Sequence, residues 1–115
     1  MTEIAGGCHC GAVRFEAEAD LDSTITCNCS YCTKRGSILT AIPAEKFRLT
    51  AGTDRLTSYR FNRHQIDHRF CAACGVQAFA LMTLGDQPMA AINVRCVDDI
   101  DVAALDPQPY DGRSA

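Results

Sequence analysis

The eight cysteines of this 115-residue chain limit its possible folds more than any other feature. An even number of cysteines permits four disulfides, but a disulfide framework spreads its cysteines over distant loops. Two thiolates separated by one or two residues can instead reach one metal ion from a single turn. Seven of the eight cysteines are grouped in this way, as Cys8 and Cys10, as Cys27, Cys29 and Cys32, and as Cys71 and Cys74. The grouping therefore predicts metal sites.

Length and charge narrow the class of protein. A chain of 115 residues with 47% hydrophobic residues suits one globular domain spanning residues 1–115. A net charge of −3 argues against a nucleic-acid partner, which would require a basic face. The apolar run "AFALM" (78–82) is too short to cross a membrane. The N-terminal residues lack the features of a signal peptide, so we expect a cytoplasmic protein whose thiols stay reduced.

The hydrophobic pattern predicts a mainly β protein, with stacked antiparallel sheets and short helical turns. In "AVRFEAEAD", apolar residues alternate with charged ones, as in a half-buried strand. Two segments on either side of Cys71 and Cys74 resemble the arms of a hairpin. The tail "DPQPYDGRSA" is expected to be irregular. The predicted strands cover residues 12–20, 37–43, 47–52, 55–61, 64–70, 76–82 and 89–97, and the helical turns cover 43–47 and 101–105.

Two of the cysteine groups share a glycine. "CHCG" ends in Gly11 and "CAACG" ends in Gly75. In a zinc knuckle, the residue after the second cysteine often needs a positive φ, which glycine adopts without steric cost. Two such knuckles would form a closed structural site from Cys8, Cys10, Cys71 and Cys74. Other groupings of the cysteines remain compatible with the sequence.

The middle group has only three cysteines, Cys27, Cys29 and Cys32, and threonine follows the last one. Three protein ligands and one open position are the arrangement of a catalytic zinc. Lys34 and Arg35 follow directly. They either offset the charge of the thiolates and attract an anionic substrate, or form an ordinary solvated basic pair.

Cys96 and the histidines provide alternative ligands. Cys96 falls on the predicted strand 89–97 beside Ile92 and Val94, which favours a buried structural thiol over a fourth ligand. His64 and His68 are four residues apart, a ligand spacing in a helix, but both lie in a predicted strand.

Several segments together resemble the glutathione-dependent formaldehyde-activating enzyme family, which includes centromere protein V. They are "GGCHCGAVRFEAE", "CNCSYCTKRG", "FRLTAG", "FCAACGVQAF" and "INVRCVDD". The resemblance implies a β-tent fold with two Zn²⁺ ions. By position, it implies a structural zinc on Cys8, Cys10, Cys71 and Cys74 and a catalytic zinc on Cys27, Cys29 and Cys32.

The resemblance also implies a reaction, which joins formaldehyde to glutathione as S-hydroxymethylglutathione, or splits that adduct as a carbon–sulfur lyase. The leading hypothesis is therefore an enzyme that acts on a glutathione-type thiol and a small aldehyde, in which the metal converts the thiol into the nucleophilic thiolate. Tyr31, Lys34 and Arg35 are the candidate substrate residues. Tyr31 is a candidate proton donor, with a packing role as the alternative. The alternatives are a non-catalytic two-zinc module that binds a partner protein, with Cys96 or His64 completing the second site, and a zinc store or redox sensor.

Overall fold

The computed structural model describes residues 2–60 and 66–114 and shows a mainly β protein. One α-helix, α1 (Ser30–Arg35), and five 3₁₀ turns interrupt the described strands. The strands are β1 (Thr2–Gly7), β2 (Arg14–Ala19), β3 (Ile25–Cys27), β4 (Leu39–Pro43), β5 (Phe47–Ala51), β6 (Leu56–Tyr59), β7 (Asp67–Cys71), β8 (Gln77–Leu84), β9 (Gln87–Asn93) and β10 (Gln108–Tyr110). The 3₁₀ turns are Ala44–Lys46, Thr53–Arg55, Val94–Cys96, Val102–Ala104 and Gly112–Ser114.

The described strands form two sheets. A three-stranded sheet has the order β1-β2-β5, and a seven-stranded sheet has the order β10-β3-β4-β9-β8-β7-β6. Neighbouring strands are antiparallel except for β10 and β3, which are parallel. The prediction of a β fold built from antiparallel sheets is therefore confirmed.

Aromatic side chains connect the two sheets. Phe15 on β2 is fully buried and stacks on Phe47 of β5, with ring centroids 5.6 Å apart. Phe47 also contacts Phe79 on β8 of the larger sheet, at 4.7 Å. Ala17, which is paired with Phe47 in the register of β2 and β5, and Ala90 of β9 are fully buried in the same core. The alternation seen in "AVRFEAEAD" therefore places its apolar side chains in the core between the sheets.

Local structure differs from the sequence-based prediction near Cys96. The predicted strand 89–97 is β9, but β9 ends at Asn93. The Asn93 side chain accepts a hydrogen bond from the backbone N–H of Arg95 at 3.2 Å, which caps the turn Val94–Cys96. The assignment of Cys96 to a strand was therefore wrong, because this cap ends the strand.

Four further strands and helices were not predicted as they occur. β1, β3 and α1 have no predicted counterpart, and β10 lies within the tail that was expected to be irregular. The predicted helical turns near residues 43–47 and 101–105 do form. The predicted segments 55–61 and 64–70 extend into residues 61–65, which lie outside the described residues.

No helix in the described part of the chain is long and apolar enough to cross a membrane.

Candidate metal centres

Four cysteine sulfurs converge where the turn after β1 meets the turn between β7 and β8. The Sγ atoms of Cys8, Cys10, Cys71 and Cys74 all lie within 4.8 Å of one another. The Sγ of Cys10 is 3.6 Å from that of Cys8 and 3.7 Å from that of Cys71. Sulfurs on a tetrahedral zinc, at about 2.3 Å from the metal, are about 3.8 Å apart. The spacing of this four-cysteine cluster is therefore suitable for a zinc ion.

The backbone at both turns has the conformation of a knuckle. Gly11 and Gly75 have φ values of 84° and 80°, which other residues rarely adopt. Their N–H groups donate to the carbonyls of Cys8 and Cys71, at 3.3 and 2.8 Å. Each glycine closes its turn and directs neighbouring backbone N–H groups towards the thiols. The N–H of Val13 donates to Cys8 Sγ at 3.3 Å, and the N–H of Ala73 donates to Cys71 Sγ at 3.4 Å.

These N–H groups stabilise negative charge on sulfur. Hydrogen bonds from the N–H groups of Val76 and Cys10 lower the pKa of Cys74 to about 6. Those of Cys74 and Ala73 lower the pKa of Cys71. At Cys10, the N–H of Ala12 acts to lower the pKa, but the neighbouring Cys8 and Cys71 outweigh it and raise the pKa to about 11. Closely spaced thiols cannot all ionise without a compensating cation, so the cluster has the chemistry of a site for a soft metal ion.

The second group of sulfurs lies at the start of α1. Cys27 is the last residue of β3, Cys29 caps the helix, and Cys32 lies in its first turn. Their Sγ atoms also lie within 4.8 Å of one another, and all three residues are half-buried. The N–H of Cys32 donates to Cys29 Sγ at 3.3 Å, so one thiol serves both as helix cap and as potential ligand. The opposite end of the helix is closed by Gly36, with φ 71°.

Burial and mutual repulsion act on the thiols of this three-cysteine cluster. Burial raises the pKa of Cys32, and the neighbouring Cys29 and Cys27 raise it further. Burial also opposes ionisation of Cys29, but hydrogen bonds from Cys32 and Cys27 prevail and lower its pKa. Cys29 therefore ionises more easily than Cys32, and a cation is needed for all three thiols to be thiolates together.

The C-terminal residues form one side of this cluster. We call residues 108–114 the strap. Tyr110 of β10 pairs with Cys27, and the Asn28 side chain donates to Asp111 and accepts from the N–H of Arg113, both at 2.9 Å. A Cβ atom added at Gly112 would overlap the Cys27 sulfur. Sequence reasoning missed the strap because three residues with one proline give too short a pattern to indicate a strand.

Arg35 is exposed, but its guanidinium also contacts two aromatic rings and two polar groups. Its guanidinium lies over the rings of Tyr31 and Phe70, at 5.5 and 5.7 Å from their centroids. It also donates to the Gly75 carbonyl and to Gln77 Oε1, each at 3.4 Å. Arg35 therefore links α1 to the knuckle of the four-cysteine cluster. Lys34 and Arg35 are both exposed, but only Arg35 makes these contacts among the described residues.

Tyr31 belongs to a network that the sequence did not indicate. Its hydroxyl donates to Gln77 Oε1 at 2.9 Å, and its ring lies 4.2 Å from the ring of His68. The amide nitrogen of Gln77 lies 3.2 Å from His68 Nδ1. Burial raises the pKa of Tyr31 and lowers that of His68, so both are neutral near pH 7. Gln77 is 7% exposed and connects α1, β7 and β8 through a single side chain.

Two of the alternative ligands, Cys96 and His68, lie outside both clusters. Cys96 Sγ donates to the Gln77 carbonyl at 3.5 Å, and burial together with Cys8 and Cys74 raises its pKa to about 11. Neither Cys96 nor His68 belongs to the groups whose ligand atoms converge in the described chain. His64 lies outside the described residues.

Comparisons with known proteins identify a family. The model of the glutathione-dependent formaldehyde-activating enzyme family matches residues 3–110. A Talaromyces marneffei protein, provisionally named a glutathione-dependent formaldehyde-activating enzyme, is 32% identical over 78 residues. That match covers 63% of this chain and 41% of the relative, so the chain spans less than half the length of this relative.

A solved structure shares the fold. The crystal structure of a Rhodobacter sphaeroides protein, determined in a structural genomics programme, superposes with a TM-score of 0.84 at 29% identity. The match covers 92% of this chain and 98% of that protein. The family match extends over nearly the whole chain and includes both cysteine clusters. The chain belongs to the glutathione-dependent formaldehyde-activating enzyme family.

Proposed function

We propose that this chain is a two-zinc enzyme that forms or breaks the carbon–sulfur bond between a glutathione-type thiol and a small aldehyde. In the synthetic direction, the thiol sulfur bonds to the carbonyl carbon, and the thiol proton is finally carried by the new hydroxyl. The reverse direction is a carbon–sulfur lyase reaction that releases the aldehyde and the thiol. We further propose that residues 1–115 act as one domain, in the cytoplasm or a similarly reducing compartment that keeps the ligand thiols reduced.

One observation carries this proposal. Within the described chain, the sulfurs of Cys27, Cys29 and Cys32 converge without a fourth histidine, cysteine or carboxylate ligand. The same cysteines are half-buried rather than enclosed, so a small molecule can approach them. Three protein ligands and an accessible position distinguish catalytic zinc sites from closed structural ones. The family name independently supports thiol and aldehyde substrates.

The donor sets define what each metal would do. The four-cysteine cluster would hold a structural ion, since four thiolates complete a tetrahedral shell. The three-cysteine cluster would hold the second ion, which would supply an open position that turns a bound thiol into a thiolate. Three thiolates and one Zn²⁺ carry a net charge of −1, and the nearby Arg35 and Lys34 offset it.

The chain itself would position the aldehyde oxygen and supply its proton. Tyr31 is next to Cys32 on α1, and its hydroxyl is held by Gln77. We assign to Tyr31 the donation of a proton to the oxygen that becomes the hydroxyl. Arg35 lies over the Tyr31 ring and would favour negative charge developing on that oxygen.

Exchange spectroscopy provides the test of this function. Glutathione and formaldehyde combine spontaneously, so catalysis appears as faster exchange between free and adducted glutathione in NMR. We expect the zinc-loaded protein to accelerate this exchange. Cys29→Ser replaces one of three ligands with a poor zinc donor, and it should lose the second zinc and the acceleration while keeping the fold.

Cys96→Ser is the matched control, because Cys96 lies outside both clusters. It should keep two zinc ions per chain and the full rate. Acceleration that persists in Cys29→Ser, or a two-zinc wild type with no acceleration, would contradict the proposal. The second result would instead favour a non-catalytic two-zinc module that binds a partner protein.

A further inference from the structure

The side-chain amide of Gln77 uses all its hydrogen-bonding positions. Its Oε1 accepts from the Tyr31 hydroxyl at 2.9 Å and from Arg35 Nε at 3.4 Å. Its Nε2 lies 3.2 Å from His68 Nδ1 and donates to the Phe79 carbonyl at 3.3 Å. An amide oxygen has two lone pairs and an amide nitrogen has two N–H groups, so no position is left over. Because the residue is also buried, this amide is a fixed part of the structure.

Two of these partners determine which way the amide faces. The Phe79 carbonyl can only accept a hydrogen bond, and the Arg35 guanidinium can only donate one. The amide nitrogen must therefore face Phe79, and the amide oxygen must face Arg35. A flipped amide would place a carbonyl against a carbonyl and an N–H group against an N–H group. It would leave buried polar groups without partners, which costs free energy.

The fixed amide determines the tautomer of His68. Because Gln77 Nε2 faces His68 Nδ1 and carries hydrogens, this ring nitrogen has to accept. Nδ1 therefore has no proton, and the proton of the neutral ring is on Nε2. An imidazolium donates from both nitrogens and would oppose the Gln77 N–H group. Burial lowers the pKa of His68 and so favours the same neutral form.

The same amide determines the direction of the Tyr31 O–H bond. An amide oxygen carries no hydrogen, so the contact with Gln77 requires the tyrosine to donate. The Tyr31 ring is held from several sides, since it stacks on Tyr59 at 5.4 Å and lies 4.2 Å from the His68 ring. The Arg35 guanidinium lies 5.5 Å from its centroid. The phenol oxygen is therefore held in place, with its proton directed at Gln77.

We propose that Gln77 is a positioning residue for the proton transfer, whose amide fixes the direction of the Tyr31 O–H bond and the tautomer of His68. The proposal rests on the function proposed above, in which Tyr31 gives its proton to the aldehyde oxygen. It adds a residue that neither touches the substrate nor follows from the cysteine pattern. Gln77 acts through Tyr31 alone.

The amide oxygen is suitable for this role because it is a neutral acceptor. As the carbon–sulfur bond forms, the carbonyl π bond breaks and its electron pair moves to the aldehyde oxygen. That oxygen then becomes a stronger acceptor than the Gln77 amide, so the Tyr31 O–H bond turns to it and transfers the proton. Arg35 faces the phenolate that is left. The proton released by the substrate thiol reaches the phenolate through solvent and restores the phenol.

The tautomer of His68 tests this arrangement without the reaction. Long-range proton–nitrogen NMR spectra of the zinc-loaded protein distinguish a protonated ring nitrogen from an unprotonated one. We expect wild-type His68 to carry its proton on Nε2. Gln77→Glu keeps the shape of the side chain but has no N–H group, and its carboxylate stays ionised next to Arg35. In this variant, His68 Nδ1 should carry a proton and donate it to the carboxylate.

The kinetics of adduct exchange test the positioning role. Tyr31→Phe removes the proposed proton donor and should lower the rate at saturating substrate by about a hundredfold. Gln77→Leu keeps the donor but removes this acceptor, and should lower the same rate by about tenfold with KM nearly unchanged. The double variant of these two substitutions should be no slower than Tyr31→Phe, because Gln77 acts through the tyrosine.

Gln87→Leu is the matched control, because Gln87 is exposed at the start of β9. It should change neither the exchange rate nor the His68 spectrum. A proton on Nδ1 of wild-type His68 would overturn the arrangement. The positioning role would be overturned by a double variant that is slower than Tyr31→Phe by the same factor that Gln77→Leu shows alone.

Failure of the proposed function has a different signature. A wild type that does not accelerate adduct exchange would remove both the catalytic function and the positioning role. The spectrum of His68 would still decide whether Gln77 fixes its tautomer, because that measurement needs no turnover.

Discussion

The two cysteine clusters differ in how much of the chain each one organises. The four-cysteine cluster joins residues 61 positions apart, as between Cys10 and Cys71, and it contains the buried Cys8 and Cys71. The three-cysteine cluster takes all its sulfurs from six consecutive positions, none of them buried. The first cluster closes a long loop between the two sheets, whereas the second sits on a local scaffold of β3 and α1.

Because of this difference, we expect the four-cysteine cluster to stabilise the fold and the three-cysteine cluster to serve the proposed reaction. A metal that closes a long loop binds only the folded chain, so its binding free energy contributes to folding. A metal on neighbouring residues orders little additional chain, and its site can stay accessible without risk to the fold. We expect loss of the first ion to unfold the protein and loss of the second to abolish only the proposed activity.

The largest expected effect is that of Cys71→Ser. Cys71 is 1% exposed, and its sulfur accepts backbone hydrogen bonds within the knuckle. Removing this ligand should cost most of the metal's binding free energy, which is on the order of 10 kcal/mol for structural thiolate sites. Circular dichroism and thermal melting should show a chain without a cooperative transition. A Cys71→Ser protein that melts cooperatively near the wild-type temperature would contradict the claim that the fold depends on the four-cysteine cluster.

A smaller effect is expected for Gly112→Ala, which tests the strap. The new Cβ would overlap the Cys27 sulfur, so either the strap or the ligand has to move. Because groups that support a metal ligand typically affect affinity 10- to 100-fold, we expect the second zinc to bind about tenfold more weakly. Competition with a chromophoric chelator measures this affinity. Gln108→Ala alters an exposed strap residue and should have no effect. A loss of the first zinc in Gly112→Ala would show that the clusters are not independent.

The smallest effect is expected for Cys96→Ala. The Cys96 thiol lies near the four-cysteine cluster but only donates to the Gln77 carbonyl. Truncating this partly buried thiol should lower the free energy of unfolding by about 1 kcal/mol. Denaturant unfolding and zinc analysis should show that small loss with two zinc ions retained. Loss of one zinc equivalent would make Cys96 a ligand.

The sequence predicted the features that depend on the spacing of the cysteines and on the alternation of apolar and charged residues. The hairpin around Cys71 and Cys74 and the strand containing Phe15 follow from apolar periodicity, and these elements form. The sulfurs of "CHCG" and "CAACG" do converge, because each motif closes on a glycine with positive φ.

The missed elements depend on partners distant in the chain. β1 contains "AGG", which has little strand propensity, and it is formed by pairing with β2 along its whole length. α1 has only six residues and depends on the Cys29 cap and on Gly36. β10 is ordered by β3, and Gln77 gathers Tyr31, Arg35 and His68 only in the folded chain. No local pattern indicates such contacts.

Cobalt substitution tests the central claim, which is that one cluster is closed and the other has an open position. In cobalt-loaded wild type, the thiolate-to-cobalt charge-transfer absorption should increase by about one sulfur's contribution when glutathione is added. Cys29→Ser keeps the four-cysteine cluster, so its spectrum should show a four-sulfur site and no response to glutathione. A wild-type spectrum that already corresponds to four sulfurs at both sites, and does not respond to glutathione, would contradict the account.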